Sequence, residues 1–147
     1  MDSRYELSIV LQGYLEKIYE QCVKNKVARV SEIARIMNVH KTSVTSALKE
    51  LSKRNLIHYS PYQYITLTKE GEKQAKRLMQ KHKIIQEFFE QVLLIPSEIA
   101  GRNACVLEHV LEDVVLERLE KFLQFQRLHC NTHLIWSSDK GFICPKA

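Results

Sequence analysis

Three side chains that often bind metal ions lie close together in the run Cys105-Val-Leu-Glu108-His109. On a helix, residues three and four positions apart are neighbours, so these side chains can share one patch. A thiolate, a carboxylate and an imidazole together suit a first-row transition ion. The run therefore predicts a metal site. The alternative is a packed cysteine beside a solvated Glu-His pair.

A second group of possible metal ligands lies near the C-terminus, at Cys130, His133 and Cys144. A Cys-x-x-His pair followed by a later cysteine could form part of a zinc site. The alternative is an irregular tail, since residues 126–147 show no helical spacing of apolar residues.

The other candidate chemistry is DNA binding, on a helix predicted at residues 41–54. Val44, Leu48 and Leu51 are spaced to form its buried face. A preceding helix at 31–37 and a short turn make a helix-turn-helix, whose second helix enters the major groove. The opposite face offers hydroxyl and ammonium groups for bases and phosphates at Lys41, Thr42, Ser43, Thr45, Ser46 and Lys49.

The elements around this pair complete a winged helix-turn-helix. Apolar spacing predicts a helix at 8–24, and β-branched and aromatic residues predict a hairpin at 56–59 and 64–67. The hairpin turn presents Tyr62 and Gln63 to the DNA backbone. A long helix is predicted to follow Thr68, and another helix is predicted at 97–125. The apolar face of this second helix is wide enough to pack against the protein core and also to contact a partner.

Composition limits the class of protein. The 147 residues are 45% hydrophobic and 27% charged, which excludes a mostly disordered chain. We expect no membrane partner and a cytoplasmic location, because no apolar run approaches the roughly 20 residues of a membrane span.

The net charge of +5 lies mostly in the N-terminal half, which favours nucleic acid as a partner. We predict domains at 1–72 (DNA binding) and 73–125 (dimerisation and metal binding), and a tail at 126–147.

Six short motifs follow one another along about residues 10–125. They are Gly13-Tyr-Leu-Glu-Lys-Ile-Tyr19, Val30-Ser-Glu-Ile-Ala34, Val39-His-Lys-Thr-Ser-Val-Thr45, Leu67-Thr-Lys-Glu-Gly71, Lys81-His82 and Cys105-Val-Leu-Glu-His109. In this order they resemble the diphtheria toxin repressor and manganese transport regulator family of metal-dependent transcriptional repressors. The resemblance implies a homodimer that binds a double-stranded operator when loaded with divalent iron or manganese.

The resemblance also implies a ligand set. The matching positions are Glu16, His82, Cys105, Glu108 and His109. Two positions depart from the family pattern. Gly13 stands where the family usually has aspartate or methionine, and Gln86 stands where iron-type members have a second-site glutamate. Cysteine as a ligand favours iron(II), cobalt or zinc relative to an all-carboxylate manganese site.

The sequence thus predicts a mainly α protein, with an N-terminal winged helix-turn-helix followed by a helical dimerisation and metal-binding domain. Its predicted function is metal-responsive transcriptional repression, and not catalysis. The alternative is a winged-helix regulator that is independent of metal or senses redox state through Cys105. A small metalloenzyme and a helical adaptor are competing classes, but the sequence shows no substrate-binding element, and an adaptor would leave the basic helix unused.

Overall fold

Ten elements make up the part of the chain that the structure, a computed structural model, describes: residues 7–129 and 134–144. In chain order they are α1 (Ile9–Asn25), α2 (Val30–Met37), α3 (Lys41–Lys53), β1 (Ile57–His58), β2 (Thr66–Leu67), α4 (Lys69–Gln91), α5 (Ser97–Leu107), α6 (Asp113–His129), β3 (Ile135–Ser137) and β4 (Gly141–Ile143). The chain divides into two compact units, Met1–Met79 and Gln80–Ala147. Among the described residues, no helix is long and apolar enough to cross a membrane.

Helices α1, α2 and α3 surround the core of the N-terminal unit. Leu15 and Ile18 of α1 and Leu48 of α3 are fully buried in it. Asn38 adopts a left-handed conformation (φ 53°) and ends α2, so that α3 can begin three residues later. The predicted helix-turn-helix is therefore confirmed.

A small antiparallel sheet completes this unit. Strand β1 pairs with β2 in the register Ile57↔Leu67, and Ala28 forms an additional bridge with Ile65. The turn between the strands is closed by the backbone N–H of Gln63, which donates to the carbonyl of Ser60 at 3.1 Å. The predicted wing is present, with shorter strands than the sequence indicates.

Gly71, in the first turn of α4, lies against the backbone of the wing. Thr68 precedes the helix, and its hydroxyl oxygen accepts a hydrogen bond from the N–H of Gly71 at 3.0 Å. A methyl group at Gly71 would meet the carbonyl oxygen of Leu56 at 1.8 Å, far inside van der Waals contact. Only glycine therefore allows α4 to begin so close to this strand.

We expect Gly71→Ala to destabilise the protein by at least about 2 kcal/mol, because the added methyl group forces the backbone apart. Gly13→Ala is the matched control. Its methyl group would meet only the end of the Met37 side chain at 4.0 Å. That substitution, inside α1, should stabilise the protein by about 0.5–1 kcal/mol. Chemical denaturation measures both, and equal stabilities for the two variants would contradict the close approach at Gly71.

The C-terminal unit differs from the single helix predicted at 97–125. Residues 108–112 form a turn between α5 and α6. The carbonyl of Glu112 accepts hydrogen bonds from the N–H groups of Val115 and Leu116, so Glu112 starts a new helix, and Asp113 suits its first turn. The helical spacing of apolar residues continues across residues 108–112, so the sequence pattern does not show that one helix ends and another begins there. Ile85 of α4, Ala104 of α5 and Leu116 of α6 form the core.

The tail also differs from the irregular segment predicted at 126–147. Helix α6 continues to His129, and β3 pairs with β4 in an antiparallel hairpin. Gly141, with φ 75°, follows the three-residue loop, as a short hairpin with a bulge requires. Of the predicted zinc ligands, Cys144 is exposed, whereas Cys130 and His133 lie outside the described residues. That zinc site stays a prediction.

Candidate metal centre and nucleic-acid interface

The C-terminal unit holds a buried carboxylate between two imidazole rings. The side chain of Glu108 is 1% exposed, and it is the one buried charged residue within residues 7–129 and 134–144. Its Oε2 lies 2.6 Å from Nδ1 of His82, and its Oε1 lies 3.2 Å from Nε2 of His109. Two of the predicted metal ligands, His82 and His109, thus both contact a third, Glu108.

Three elements position these ligands. His82 projects from α4, Glu108 caps the C-terminus of α5, and His109 follows in the turn before α6. Our expectation that Cys105, Glu108 and His109 lie within one continuous last helix is wrong, because α5 ends at Leu107. The Glu108 backbone nevertheless keeps right-handed helical angles (φ −57°, ψ −26°), so the two neighbouring ligands still point to one patch. Cys105 lies in α5 and is exposed.

An ion pair holds the turn that carries Glu108 and His109. The ammonium of Lys81 on α4 lies 3.0 Å from a carboxylate oxygen of Asp113, at the start of α6. Lys81 is largely buried, at 19% side-chain exposure, whereas Asp113 is 65% exposed, so solvent screens part of this interaction. Sequence reasoning assigned no role to Lys81, and its partner 32 residues away could not be read from spacing.

The electrostatics of this patch favour a bound cation. Burial, and then the nearby charges of His82 and Lys81, lower the pKa of His109, so its imidazole stays neutral, the form that binds metal. A buried carboxylate needs a compensating positive charge. Carboxylate oxygen and imidazole nitrogen suit divalent transition ions. The residues present therefore fit the metal that the sequence predicts.

Glu16, the remaining predicted ligand, lies on α1 in the N-terminal unit and is half-buried. Gln86, which the sequence marked only as a departure from the family pattern, contacts the centre directly. Its Oε1 lies 3.1 Å from Nε2 of His82. The spacing of four residues on α4 could have suggested this contact.

The exposed face of α3 carries the predicted DNA contacts. Val44, Ala47, Leu48 and Leu51 are buried, which turns the polar side chains outward. Thr45 is partly exposed, and its hydroxyl donates to the carbonyl of Thr42 at 2.9 Å. The remaining predicted residues of this helix are exposed, namely Lys41, Thr42, Ser43, Ser46 and Lys49.

The wing adds an aromatic and basic surface. Tyr62 is fully exposed at the turn, with φ 65°, and Gln63 beside it is also exposed. The guanidinium of Arg29 lies 5.1 Å from the centre of the Tyr64 ring, within range of a cation–π interaction. The sequence did not indicate Arg29, because the contact depends on the bridge that brings residue 28 beside the wing.

Comparison with known protein families identifies the family to which these two units belong. Residues 6–65 match the N-terminal DNA-binding domain of iron-dependent repressors. Residues 68–137 match the metal-binding and dimerisation domain of the same repressors. The chain belongs to the iron-dependent repressor family, whose members are metal-dependent transcriptional regulators.

Individual relatives support this assignment. The chain is 36% identical over 119 residues to an uncharacterized HTH-type transcriptional regulator of Methanocaldococcus jannaschii, covering 80% of this chain and 95% of the relative. It is 30% identical to the HTH-type transcriptional regulator MntR of Geobacillus kaustophilus, covering 78% and 81%. Its fold is similar to that of the manganese regulator SloR (32% identity, TM-score 0.68), covering 78% of this chain and 54% of the SloR chain. The chain thus spans about half the length of that solved structure.

Proposed function

We propose that this chain binds a divalent transition ion at His82, Cys105, Glu108 and His109, and that the loaded form binds operator DNA as a homodimer. The observation that carries the proposal is the buried Glu108 carboxylate between two imidazole rings. A divalent ion at this place would be bound by the carboxylate oxygens and the imidazole nitrogens together. Iron(II) and manganese(II) are the proposed ions, and the cysteine keeps zinc and cobalt as alternatives. Access to DNA also implies the cytoplasmic location that the sequence predicts.

The family resemblance adds Glu16 of α1 as a fifth ligand. An ion that binds a residue of the DNA-binding unit stabilises the arrangement that offers the complete ligand set. Glu16→Gln should therefore leave most of the metal affinity in place and uncouple it from DNA affinity. Isothermal titration with manganese and an operator-binding assay on the same variant separate the two effects.

The DNA interface that we propose combines α3 and the wing. Ser43, Ser46 and Lys41 lie toward the start of α3, the end that meets base edges in helix-turn-helix proteins. We assign contacts with the phosphate backbone to Lys49, Tyr62 and Gln63, which are all exposed. Their exposure supports this assignment.

A second apolar face on α6 supports the homodimer. Leu116 and Leu123 are buried on one side of this helix. The opposite side carries four large apolar side chains, each between 40% and 54% exposed, namely Val114, Val115, Phe122 and Phe125. A helix that is apolar on two sides normally buries both. A symmetric dimer would bury this stripe and present two α3 helices to a palindromic operator.

We expect Phe125→Glu to shift the protein to monomers at micromolar concentration, because a charge in the stripe must be desolvated on association. Sedimentation velocity measures the change. Val23→Glu, which replaces an exposed apolar residue of α1, is the matched control and should stay dimeric. A Phe125→Glu protein with the wild-type sedimentation coefficient would show that another surface forms the dimer.

A further inference from the structure

The backbone of the wing places Arg29 directly opposite Tyr64. The N–H groups of Ala28 and Ile65 each donate to the carbonyl of the other residue at 2.9 Å, in an antiparallel bridge. Arg29 and Tyr64 are the next pair along this bridge, a position at which opposing side chains approach closely. The side chains of Ala28 and Ile65 are fully buried. Because successive side chains of a strand alternate, Arg29 and Tyr64 point to solvent instead.

The contact with Tyr64 holds the guanidinium of Arg29 without neutralising it. The guanidinium lies 5.1 Å from the centre of the ring. Arg54, Arg102 and Arg127 are instead held by ion pairs with carboxylates. Among the described residues, no carboxylate forms an ion pair with Arg29. A planar guanidinium that lies over a ring still presents its N–H edge, which can bind two oxygens of one phosphate.

The segment that carries Arg29 is positively charged. Residues 24–29 read Lys-Asn-Lys-Val-Ala-Arg, with three cationic side chains and no carboxylate. All three cationic side chains are exposed. Arg29 is the residue immediately before α2, the first helix of the helix-turn-helix, which crosses the DNA backbone in proteins of this kind. Arg29 therefore connects that helix with the wing, at the side of the unit where an anionic backbone would pass.

We propose that Arg29 binds a DNA phosphate and that the ring of Tyr64 positions its guanidinium for this contact. The inference rests on the DNA binding proposed above, and it adds a contact outside α3 and the turn of the wing. A phosphate is the expected ligand because a guanidinium fork matches the spacing of phosphate oxygens. Such a contact fixes the register of the protein on DNA and carries no base sequence.

Fluorescence anisotropy with the full-length protein and manganese tests this contact. The two probes are DNA from the protein's own upstream region and a scrambled duplex of the same length. Arg29→Gln should lose roughly 10- to 100-fold in affinity for both duplexes, the usual strength of a hydrogen-bonded charged group. The slope of log affinity against log salt concentration should become shallower by about 0.9 for each lost phosphate contact. Arg102→Gln removes the same charge from the C-terminal unit and should keep the wild-type slope.

Variants of Tyr64 separate positioning from charge. Tyr64→Leu keeps the charge of Arg29 but removes the ring, so we expect a loss of roughly 3- to 10-fold in affinity with an unchanged salt slope. Tyr64→Phe keeps the ring and should bind like the wild type. In NMR spectra of the DNA-free protein, the ring current of residue 64 should shift the Cδ protons of Arg29 upfield in the wild type and in Tyr64→Phe. That shift should disappear in Tyr64→Leu.

The possible outcomes distinguish this inference from the proposed function. An Arg29→Gln protein with the affinity and salt slope of the wild type would overturn the phosphate contact. So would a loss confined to the upstream DNA, because Arg29 would then read bases. An unchanged Arg29 shift in Tyr64→Leu would remove the positioning role of Tyr64. A wild type that binds neither duplex would instead contradict the proposed function, and the Arg29 contact with it.

Discussion

We expect Glu108→Gln to lose at least about 100-fold in affinity for manganese or iron, and to lose metal-dependent DNA binding with it. Groups that only support a ligand are worth roughly 10- to 100-fold in metal affinity, so the central carboxylate should be worth more. Glutamine has the same shape but lacks the charge that offsets a divalent ion. Isothermal titration calorimetry measures the affinity, and thermal melting with and without metal checks the fold.

The melting temperature of Glu108→Gln without metal gives an independent test. Burying a carboxylate is costly, so removing the charge of Glu108 should leave the metal-free melting temperature unchanged or raise it. The rise in melting temperature on adding metal should disappear. Glu98→Gln, an exposed position in the same helix, is the control and should retain the wild-type response. A Glu108→Gln protein with wild-type metal affinity would remove Glu108 from the ligand set.

His109→Ala should have the same two consequences, because its neutral imidazole is a second proposed ligand on the same patch. Loss of metal binding and of metal-dependent DNA binding should occur together. Retention of both in this variant would contradict the assignment of His109.

The second large effect should come from Ser43→Glu/Ser46→Glu. Two carboxylates on the exposed face of α3 would repel DNA phosphates and remove hydroxyl contacts to the groove, and we expect a loss of at least about 100-fold in operator affinity. Both residues are exposed, so the fold and the metal affinity should not change. Fluorescence anisotropy with labelled operator DNA measures the loss.

A charge-matched control separates local from general repulsion. Gln91→Glu/Gln124→Glu adds the same two charges at exposed positions of the C-terminal unit. It should weaken DNA binding only slightly, and raising the salt concentration should weaken the wild type steeply through counterion release. If both double variants lose the same affinity, α3 is not the recognition helix.

The N-terminal unit could be predicted from sequence because its signals are local. Buried residues on α3 recur at spacings of three and four, and Pro61 marks the turn of the wing. The break at residues 108–112 could not be predicted in this way, since the apolar spacing of α5 and α6 continues across it. The tail hairpin was missed because its strands have three residues each, too short for a clear pattern.

The candidate metal centre was predictable in part. Cys105, Glu108 and His109 are neighbours in sequence, and family resemblance added His82 from 26 residues upstream of Glu108. Spacing cannot show that Glu108 is buried between the two rings. The contact of Gln86 with Ser97 is also a tertiary one, across the loop that joins α4 to α5, and no local pattern encodes it.

The most direct test of the central claim is the affinity of the protein for DNA from its own upstream region, measured by fluorescence anisotropy with chelator and with manganese or iron(II). Metal should tighten binding by at least about 10-fold, within the usual range of coupling between two sites. Glu108→Gln should abolish the difference. Equal affinity for this DNA in chelator and in metal would contradict the account, and the metal-independent regulator with a redox-sensitive Cys105 would then be the better description.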